Sequence, residues 1–256
     1  MLVRGGEAEG VLTVTLCRAD KRNALSSELI GALAAALDRE AANPRLKLCV
    51  VRGEGDRAFA SGGDLRELSA LRSLDEAERM SREFRAVLEK VRHFPVPVIG
   101  ALNGDALGGG AELALACDIR IAAAHSRLGF LQGKLAISTA WGGGIDLLAA
   151  VGVSRGLRML GRAEILSADR ALDWGLVDAV AGSNEPFDDF VAHYVAGYLD
   201  RPPQVMRAFK ALALESRLGG ARADLVALET THFAQTWVHE DHWRAVEASL
   251  GKAGKP

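Results

Sequence analysis

The chain lacks several features that mark particular classes of protein. It has three cysteines in 256 residues, Cys17, Cys49 and Cys117, with no C-x-x-C pair among them. Such a sparse, odd set within apolar stretches predicts reduced thiols in the core and a reducing compartment. No stretch reaches the ~18 apolar residues of a membrane span, and residues 1–7 lack the apolar region of a signal peptide. We therefore expect a cytoplasmic protein.

The chain also lacks a strong excess of one charge and has few aromatic side chains. Lysine and arginine number 31, aspartate and glutamate 33, and no block of basic residues offsets this balance. This excludes the electrostatic footprint of a typical nucleic-acid binder. Only 5% of the residues are aromatic, whereas 28 of the 256 are glycine, about 11% against a usual ~7%. The composition is that of a globular protein that buries a sizeable core and places unusual demands on its loops.

Strand and helix patterns alternate along the first part of the chain. The predicted strands are 11–16, 46–51, 95–102 and 119–122. The predicted helices begin after Ser26, after a capping box of Ser73 and Glu76, and near Gly110. Beyond residue 187 only helical patterns remain, at 190–199, 203–218 and 223–250. We predict an α/β core over residues 1–186 and an all-helical region over residues 187–256.

Three glycine clusters, at 61–64, 108–110 and 141–144, each follow an apolar stretch and precede a helical pattern. Glycine at such places lets backbone N–H groups approach a ligand, and it also serves ordinary tight turns. No cluster fits a phosphate loop or a G-x-G-x-x-G pattern. Binding of nucleotides by those two motifs is therefore not expected.

Glu112 is the only charged side chain between residues 106 and 117. A carboxylate at the start of an apolar helix is desolvated, which raises its pKa towards the range useful for proton transfer. The alternative is a structural ion pair with an arginine such as Arg120 or Arg127. The residues alone leave both interpretations open.

Two further patterns have ordinary explanations. Residues 152–156 read GVSRG and match the G-x-S-x-G elbow of hydrolases, but the residues before them have helical spacing. We interpret Ser154 as the N-cap of a helix and not as a nucleophile. His239 and His242 have a spacing that permits metal binding, but no third ligand is spaced with them. A solvated helix end is the expected role there, and no metal site is predicted.

Four motifs together resemble the crotonase (enoyl-CoA hydratase/isomerase) family. Residues 18–25 read RADKRNAL and residues 58–65 read AFASGGDL. Residues 103–113, NGDALGGGAEL, are similar to the signature of that family, and residues 168–178 read ADRALDWGLVD. The resemblance covers residues 10 to 180 in one order. It implies a spiral of β-β-α turns, a helical trimerisation region, and a homotrimer or a dimer of trimers.

The resemblance also implies site residues. The backbone N–H groups of Gly63 and Gly109 would form an oxyanion hole for the thioester carbonyl of an acyl-CoA, and Glu112 would be the first catalytic acid. Coenzyme A would be part of the substrate, with no resident cofactor. The residues expected to bind the substrate or its CoA moiety are Arg22, Ala24, Ala60, Gly62, Asp64, Leu65, Gly108, Trp141 and Lys252.

One position departs from the family pattern. The second catalytic glutamate of hydratases falls on Gln132, whose amide cannot exchange a proton at neutral pH. Residues 138–143 (STAWGG) and 201–208 (RPPQVMRA) are moreover similar to ethylmalonyl-CoA decarboxylases of that family. We expect enolate chemistry of the hydratase/isomerase type, with decarboxylation of methylmalonyl- or ethylmalonyl-CoA as the alternative. A non-catalytic CoA-binding scaffold is the alternative from another class.

Overall fold

The computed structural model describes residues 3–253, without the side chains of residues 4, 7, 8 and 251–253. The strands are β1 Val3–Ala8, β2 Val11–Leu16, β3 Leu48–Gly53, β4 Ala58–Ala60, β5 Val98–Leu102, β6 Asp105–Leu107, β7 Ile119–Ala122, β8 Arg127–Gly129, β9 Ile165–Ser167 and β10 Ala179–Val180. The helices are α1 Ser27–Glu40, α2 Leu65–Leu68, α3 Leu74–Arg92, α4 Gly109–Ala116, α5 Gly143–Arg162, α6 Ala168–Asp173, α7 Phe187–Leu199, α8 Pro203–Arg217, α9 Arg222–Trp237 and α10 Glu240–Ala253. Short 3₁₀ turns lie at Ala19–Lys21 and Gln132–Leu135.

The strands form two sheets. One has the order β1-β2-β3-β5-β7-β10 and the other the order β4-β6-β8-β9. The pairs β1–β2 and β8–β9 are antiparallel and all other pairs are parallel. Along the chain, one strand of the first sheet is followed by one of the second and then by a helix, as in β5-β6-α4 and β7-β8-α5. This repeat is the expected β-β-α spiral, and the mixed α/β class is confirmed.

The helices begin where the sequence provides caps. The Ser26 side chain accepts a hydrogen bond from the Leu29 amide at the start of α1. At the start of α3 the Glu76 amide donates to Ser73 Oγ, and the Ser73 amide donates to the Glu76 carboxylate. This is the predicted capping box, which satisfies two amides that a helix start leaves unpaired.

Side chains alternate between the two faces of the first sheet. On β3, Cys49 and Val51 belong to the main core, whereas Leu48 and Val50 face a second cluster that includes Val195 of α7. Helix α7 thus covers one face of the sheet. Helix α8 is fixed to the α/β region by the buried Lys210, whose Nζ lies 2.6 Å from both carboxylate oxygens of Asp118. The domain boundary at residue 186 stays a prediction.

Two details of the sequence analysis were wrong. The helical pattern at 223–250 is two helices, because the chain leaves the helix at Val238 and His239 Nδ1 accepts a hydrogen bond from the Asp241 amide of the next one. Ser154 is not an N-cap, since α5 is helical on both sides of a single break at Gly152, where φ is 76°. The absence of a preceding strand rules out the hydrolase elbow.

The cysteines match their expected setting in part. Cys49 and Cys117 are buried free thiols, whereas Cys17 is only half-buried. Over residues 3–253, no group of three or more His, Cys, Asp and Glu side chains is placed to hold a metal ion. Within the same range, no helix has the length and apolar character to cross a membrane.

Candidate active site

A cavity of about 350 Å³ lies where the ends of β4 and β6 meet the segment that follows β8. Its lining is largely apolar. The lining residues are Ser61, Gly62, Gly63, Leu65, Leu68, Met80, Gly108, Gly109, Glu112, Leu131, Gln132, Lys134, Leu135, Ile137, Ser138, Ala140 and Trp141. Of these, Glu112 is the one carboxylate.

Glu112 is placed by a turn that only glycine allows. Strand β6 ends at Leu107, Gly108 takes a φ of +56°, and α4 begins at Gly109. A Cβ on Gly110 would lie 1.9 Å from the carbonyl oxygen of Ala60, so that α4 packs directly on the backbone of β4. All eight residues of α4 are buried. Glu112 therefore enters the cavity from the first turn of a helix with no freedom to shift.

The Glu112 carboxylate accepts hydrogen bonds from three donors. Its Oε2 accepts from the amides of Trp141 (2.8 Å) and Gly143 (3.0 Å), and Gly143 is the first residue of α5. Its Oε1 accepts from Gln132 Nε2 at 2.9 Å. Burial raises the pKa of Glu112, and the backbone N–H groups act in the opposite direction by favouring the ionised form. The result is a desolvated carboxylate held in one orientation.

The alternative of an ion pair with arginine is wrong. Arg120 donates to the carbonyl oxygens of Leu176 and Cys117, and Arg127 pairs with Asp105. Neither reaches Glu112, because both guanidinium groups have acceptors on other elements. Over residues 3–253 the hydrogen bonds to the carboxylate come from amide groups, two of the backbone and one of Gln132.

The two amides expected in an oxyanion hole lie on neighbouring loops. Gly63 follows β4 and Gly109 follows β6, and these strands are parallel neighbours, so their carboxyl ends meet. Among residues 3–253, neither N–H group donates to a protein acceptor. The Trp141 ring packs against both glycines, so a Cβ on Gly109 would meet its Cζ3 at 2.0 Å. Their role as an oxyanion hole stays a prediction.

The structure gathers eight of the predicted site residues around the cavity. These are Gly62, Gly63, Leu65, Gly108, Gly109, Glu112, Gln132 and Trp141. Of the others, Ala24 and Ala60 are not part of the lining, and Asp64 accepts the Arg66 amide at the start of α2. Arg18 lies 2.9 Å from Asp64 and lowers the pKa of its carboxyl group by hydrogen bonding. Lys252 belongs to α10, and its side chain lies outside the described part of the chain.

Arg22 lines a second cavity, of about 330 Å³, which shares Ser61 with the first. Its lining is basic and is completed by Arg57, Ala58, Asp105, Leu107, His125 and Arg127. Asp105 is paired with Arg127, whereas the side chains of Arg22 and Arg57 have no ion-pair partner within residues 3–253. An apolar cavity with one carboxylate thus adjoins a cavity with two unpaired guanidinium groups.

Sequence reasoning missed the apolar wall of the cavity. Leu135 and Ile137 are 51% and 59% exposed, and Leu68 and Met80 come from two separate helices. Met80 Sδ also accepts a hydrogen bond from Trp141 Nε1 at 3.4 Å. The one signal in the sequence was a pair of large apolar residues, Leu135 and Ile137, between glycine clusters.

The fold and sequence match proteins of one family. The family model described as enoyl-CoA hydratase/isomerase matches residues 6–252. The mitochondrial methylglutaconyl-CoA hydratase of Homo sapiens is 34% identical over 236 residues, which cover 90% of this chain and 68% of that protein. A probable enoyl-CoA hydratase of Bacillus subtilis (strain 168) is 31% identical over 230 residues, covering 90% and 88%.

Solved structures give the same result. The enoyl-CoA hydratase from Bacillus anthracis superposes with a TM-score of 0.91 at 27% identity, covering 98% of this chain and 97% of that one. An enoyl-CoA hydratase described as putative, from Streptomyces coelicolor A3(2), gives a TM-score of 0.89 at 30% identity, covering 100% and 93%. The four sequence motifs, the β-β-α spiral and these matches agree. The chain belongs to the enoyl-CoA hydratase/isomerase family.

Proposed function

We propose that the chain acts on acyl-CoA thioesters through a thioester enolate, with Glu112 as the group that moves the proton. The observation that carries this proposal is a single buried carboxylate in an apolar cavity that also contains two unpaired amides, on Gly63 and Gly109. An enolate oxygen needs such donors, and one of them contributes about 10²–10³ in rate.

The two oxygens of Glu112 differ in their capacity to take a proton. Oε2 already accepts two backbone N–H groups, whereas Oε1 accepts one bond from Gln132. The free lone pair of Oε1 makes it the basic atom. Gln132 orients this oxygen without competing for its proton, because an amide does not titrate at neutral pH. The apolar wall keeps bulk water from the developing charge.

With one carboxylate, the reaction we favour is proton transfer next to the thioester, of the enoyl-CoA hydratase/isomerase type. Glu112 takes a proton from one carbon, the electron pair is held on the thioester oxygen as a dienolate, and the proton is returned to the carbon two positions away, so that the double bond moves. Addition of water to a double bond is expected to be slow, since Gln132 cannot act as the second acid.

Decarboxylation of an alkylmalonyl-CoA is the second candidate, and the same lone carboxylate favours it. The bond to the substrate carboxylate breaks, carbon dioxide leaves, and the electron pair forms the enolate. Glu112 then delivers one proton to carbon. This sequence needs no second acid, and an apolar cavity strips water from the departing carboxylate.

The basic cavity supports coenzyme A as the carrier of the acyl group. A CoA thioester has an apolar or short acyl end and an anionic nucleotide end, and Arg22 and Arg57 offer unpaired guanidinium groups for phosphates. We expect Arg22→Ala to raise KM about ten-fold for an acyl-CoA and to leave KM unchanged for the N-acetylcysteamine thioester of the same acid. An equal change for both thioesters would remove this cavity from CoA binding.

The deciding experiment is mass spectrometry of a mixed thioester panel after incubation with the protein. The panel holds short and medium enoyl-CoAs together with methylmalonyl- and ethylmalonyl-CoA. Loss of carbon dioxide identifies a decarboxylase, gain of water a hydratase, and a moved double bond, found by chromatography, an isomerase. No change in any thioester would favour the non-catalytic scaffold.

The same panel tests Glu112 directly. Glu112→Gln is expected to abolish turnover, a loss of at least about 10²-fold, and to keep the affinity for the saturated butyryl-CoA measured by calorimetry. Turnover that survives this substitution would exclude Glu112 from the mechanism. Ser154→Ala is the matched control and should leave turnover unchanged.

A second substitution tests the position of Gln132. Gln132→Glu places a carboxyl group beside Glu112 and is expected to raise hydration of crotonyl-CoA. If hydration does not increase, Gln132 does not occupy the place of the second acid.

We further propose that the helical region joins copies of the chain into a homo-oligomer, a trimer or a dimer of trimers, in a reducing cytoplasm. Large apolar side chains are exposed on α8–α10, including Phe209, Phe233, Trp237, Trp243 and Leu250. Sedimentation analysis of the wild type and of Phe233→Glu tests this. A monomeric wild type would overturn the proposal.

A further inference from the structure

The carbonyl oxygen of Ala140 accepts hydrogen bonds from three donors on α3. Ser81 Oγ lies at 3.0 Å, Arg85 Nη2 at 2.6 Å and Arg85 Nε at 3.2 Å. A carbonyl oxygen has two lone pairs, and a half-buried loop carbonyl is ordinarily satisfied by water. Two side chains of another helix are thus committed to one peptide group of the 131–142 segment.

The other end of that peptide group contacts Glu112. The amide of the Ala140–Trp141 peptide is the Trp141 N–H, which donates to Glu112 Oε2 at 2.8 Å. Because a trans peptide is planar, its C=O and N–H point in opposite directions. The peptide is therefore a rigid link with Arg85 and Ser81 on one side and the Glu112 carboxylate on the other.

The second amide on Oε2 is held differently. The carbonyl of the Gly142–Gly143 peptide accepts the amides of Ile145 and Asp146, both in the first turn of α5. Among the described residues, that donor is fixed by backbone hydrogen bonds. Of the two amides, it is thus the Ala140–Trp141 peptide that side chains orient through its carbonyl oxygen.

We propose that Arg85, together with Ser81, is a positioning residue that sets the orientation and donor strength of the Ala140–Trp141 peptide and thereby the orientation and basicity of Glu112. Hydrogen bonds accepted at a carbonyl polarise the peptide and strengthen its N–H as a donor, by perhaps 10–30% per bond. The role assigned to Glu112 rests on the proposed function, whereas the link itself is structural.

Few charged groups face this arrangement. Lys134 lines the cavity, Arg92 on α3 donates to the Trp141 carbonyl at 3.4 Å, and Asp146 on α5 pairs with Arg92 at 2.6 Å. Arg92 is neutralised by that pair and by Glu89, 3.0 Å away. Arg85 has no acidic partner over residues 3–253, so its charge acts on the Ala140 carbonyl.

The test measures the ionisation of Glu112 without any substrate. The protein is labelled with carbon-13 at glutamate carboxyl groups, and the Glu112 infrared band is identified by subtraction of Glu112→Gln. Arg85→Met removes the donors and the nearby cation, so the ionised form loses stabilisation and the pKa of Glu112 rises. Ser81→Ala raises it less, and Arg85→Lys restores part of the difference.

Arg82→Met is the matched control, because Arg82 is exposed on the same helix and pairs with Glu78. Its Glu112 titration should equal that of the wild type. The proposal would be overturned if folded Arg85→Met had the same Glu112 pKa as the wild type. It would also be overturned if Arg82→Met raised the Glu112 pKa by as much as Arg85→Met does. If Arg85→Met fails to fold, Ser81→Ala and Arg85→Lys test the proposal instead. Each must raise the pKa of Glu112 above that of the wild type, and by more than Arg82→Met does.

Kinetics add a second readout. On a thioester that is turned over, Arg85→Met should lower kcat about ten-fold with KM changed less than about two-fold, and the acid limb of the pH profile should move to higher pH. The infrared titration needs no substrate, so it tests the role of Arg85 even if the protein turns over no thioester. Failure of the proposed function and failure of this inference are therefore separate results.

Discussion

Two segments of the chain build the candidate site, and they differ in how tightly they are packed. Helix α4 carries Glu112 and is buried along all eight residues. The 131–142 segment carries Gln132 and Trp141, but residues 133–138 are exposed. Helix α4 is thus part of the core, whereas the 131–142 segment is a surface segment that lines the cavity.

Because the two segments differ in packing, we expect α4 to determine the reaction and the 131–142 segment to determine which substrate is accepted. The carboxylate to which we assign the proton transfer lies on an element with no room for change, where a single added atom meets backbone. The wall that we expect to contact the acyl group lies on an element whose side chains have space around them. Substitutions in α4 should therefore affect folding and kcat, and substitutions in the 131–142 segment should affect KM.

The largest effect is expected for Gly110→Ala. The new Cβ would lie 1.9 Å from the Ala60 carbonyl oxygen and 2.6 Å from its carbon, and strand β4 cannot move away without breaking its pairing with β6. We expect a loss of about 3 kcal/mol in the free energy of unfolding, measured with urea.

Gly161→Ala in α5 is the control, because nothing lies within 4 Å of its added Cβ. It should leave stability unchanged or raise it by up to about 1 kcal/mol. Equal stability of the two variants would show that α4 can shift to accommodate an added Cβ, contrary to our expectation.

The sequence predicted α4 well because its signals are local. A lone acid between apolar residues and a run of three glycines lie within residues 106–117, and burial follows directly from that composition. The capping box of α3 and the strand at 11–16 were predicted for the same reason.

Features that depend on distant contacts were not predicted. The donors to Glu112 lie 20, 29 and 31 residues away along the chain, so the residues alone left an arginine partner open. The contact between Arg85 and Ala140 spans 55 residues. Strands β4, β6 and β8 have three residues each and carry no periodicity, and β1 was missed because Gly5 and Gly6 occupy its middle.

Ile137→Ala tests the 131–142 segment and should affect stability less than Gly110→Ala does. Ile137 is 59% exposed in the free protein, so its truncation should leave the melting temperature unchanged. Its loss from the cavity wall should raise KM for medium-chain thioesters about three- to ten-fold, with kcat little affected. Leu172→Ala, a truncation elsewhere on the surface, should change neither the melting temperature nor KM. A large loss of stability in Ile137→Ala would show that the 131–142 segment is as tightly packed as α4.

The smallest effect concerns the stability of Glu112→Gln as a function of pH. Burial raises the pKa of Glu112 above its ordinary value of 4.5, so the ionised carboxyl destabilises the folded state. This destabilisation is absent below pH 4.5, grows as the pH rises through the folded-state pKa, and is constant above it. A glutamine fits the site, because its carbonyl accepts the Trp141 and Gly143 amides. Its NH₂ takes the place of Oε1, and a turn of the Gln132 amide by 180° brings Gln132 Oε1, which has no hydrogen-bond partner among the described residues, into position to accept from it.

Glu112→Gln should therefore melt at the wild-type temperature near pH 4 and about 2 °C higher at pH 8, measured by calorimetry. Glu164→Gln is the control with the opposite sign. The Arg158 hydrogen bond lowers the pKa of Glu164, so its contribution stabilises the fold at neutral pH and disappears as the pH falls through that pKa. Glu164→Gln should be less stable than the wild type at pH 8 and equal to it at low pH. If Glu112→Gln follows the Glu164 pattern instead, the amides outweigh burial, and the carboxylate is held as a permanent anion that no longer suits proton transfer.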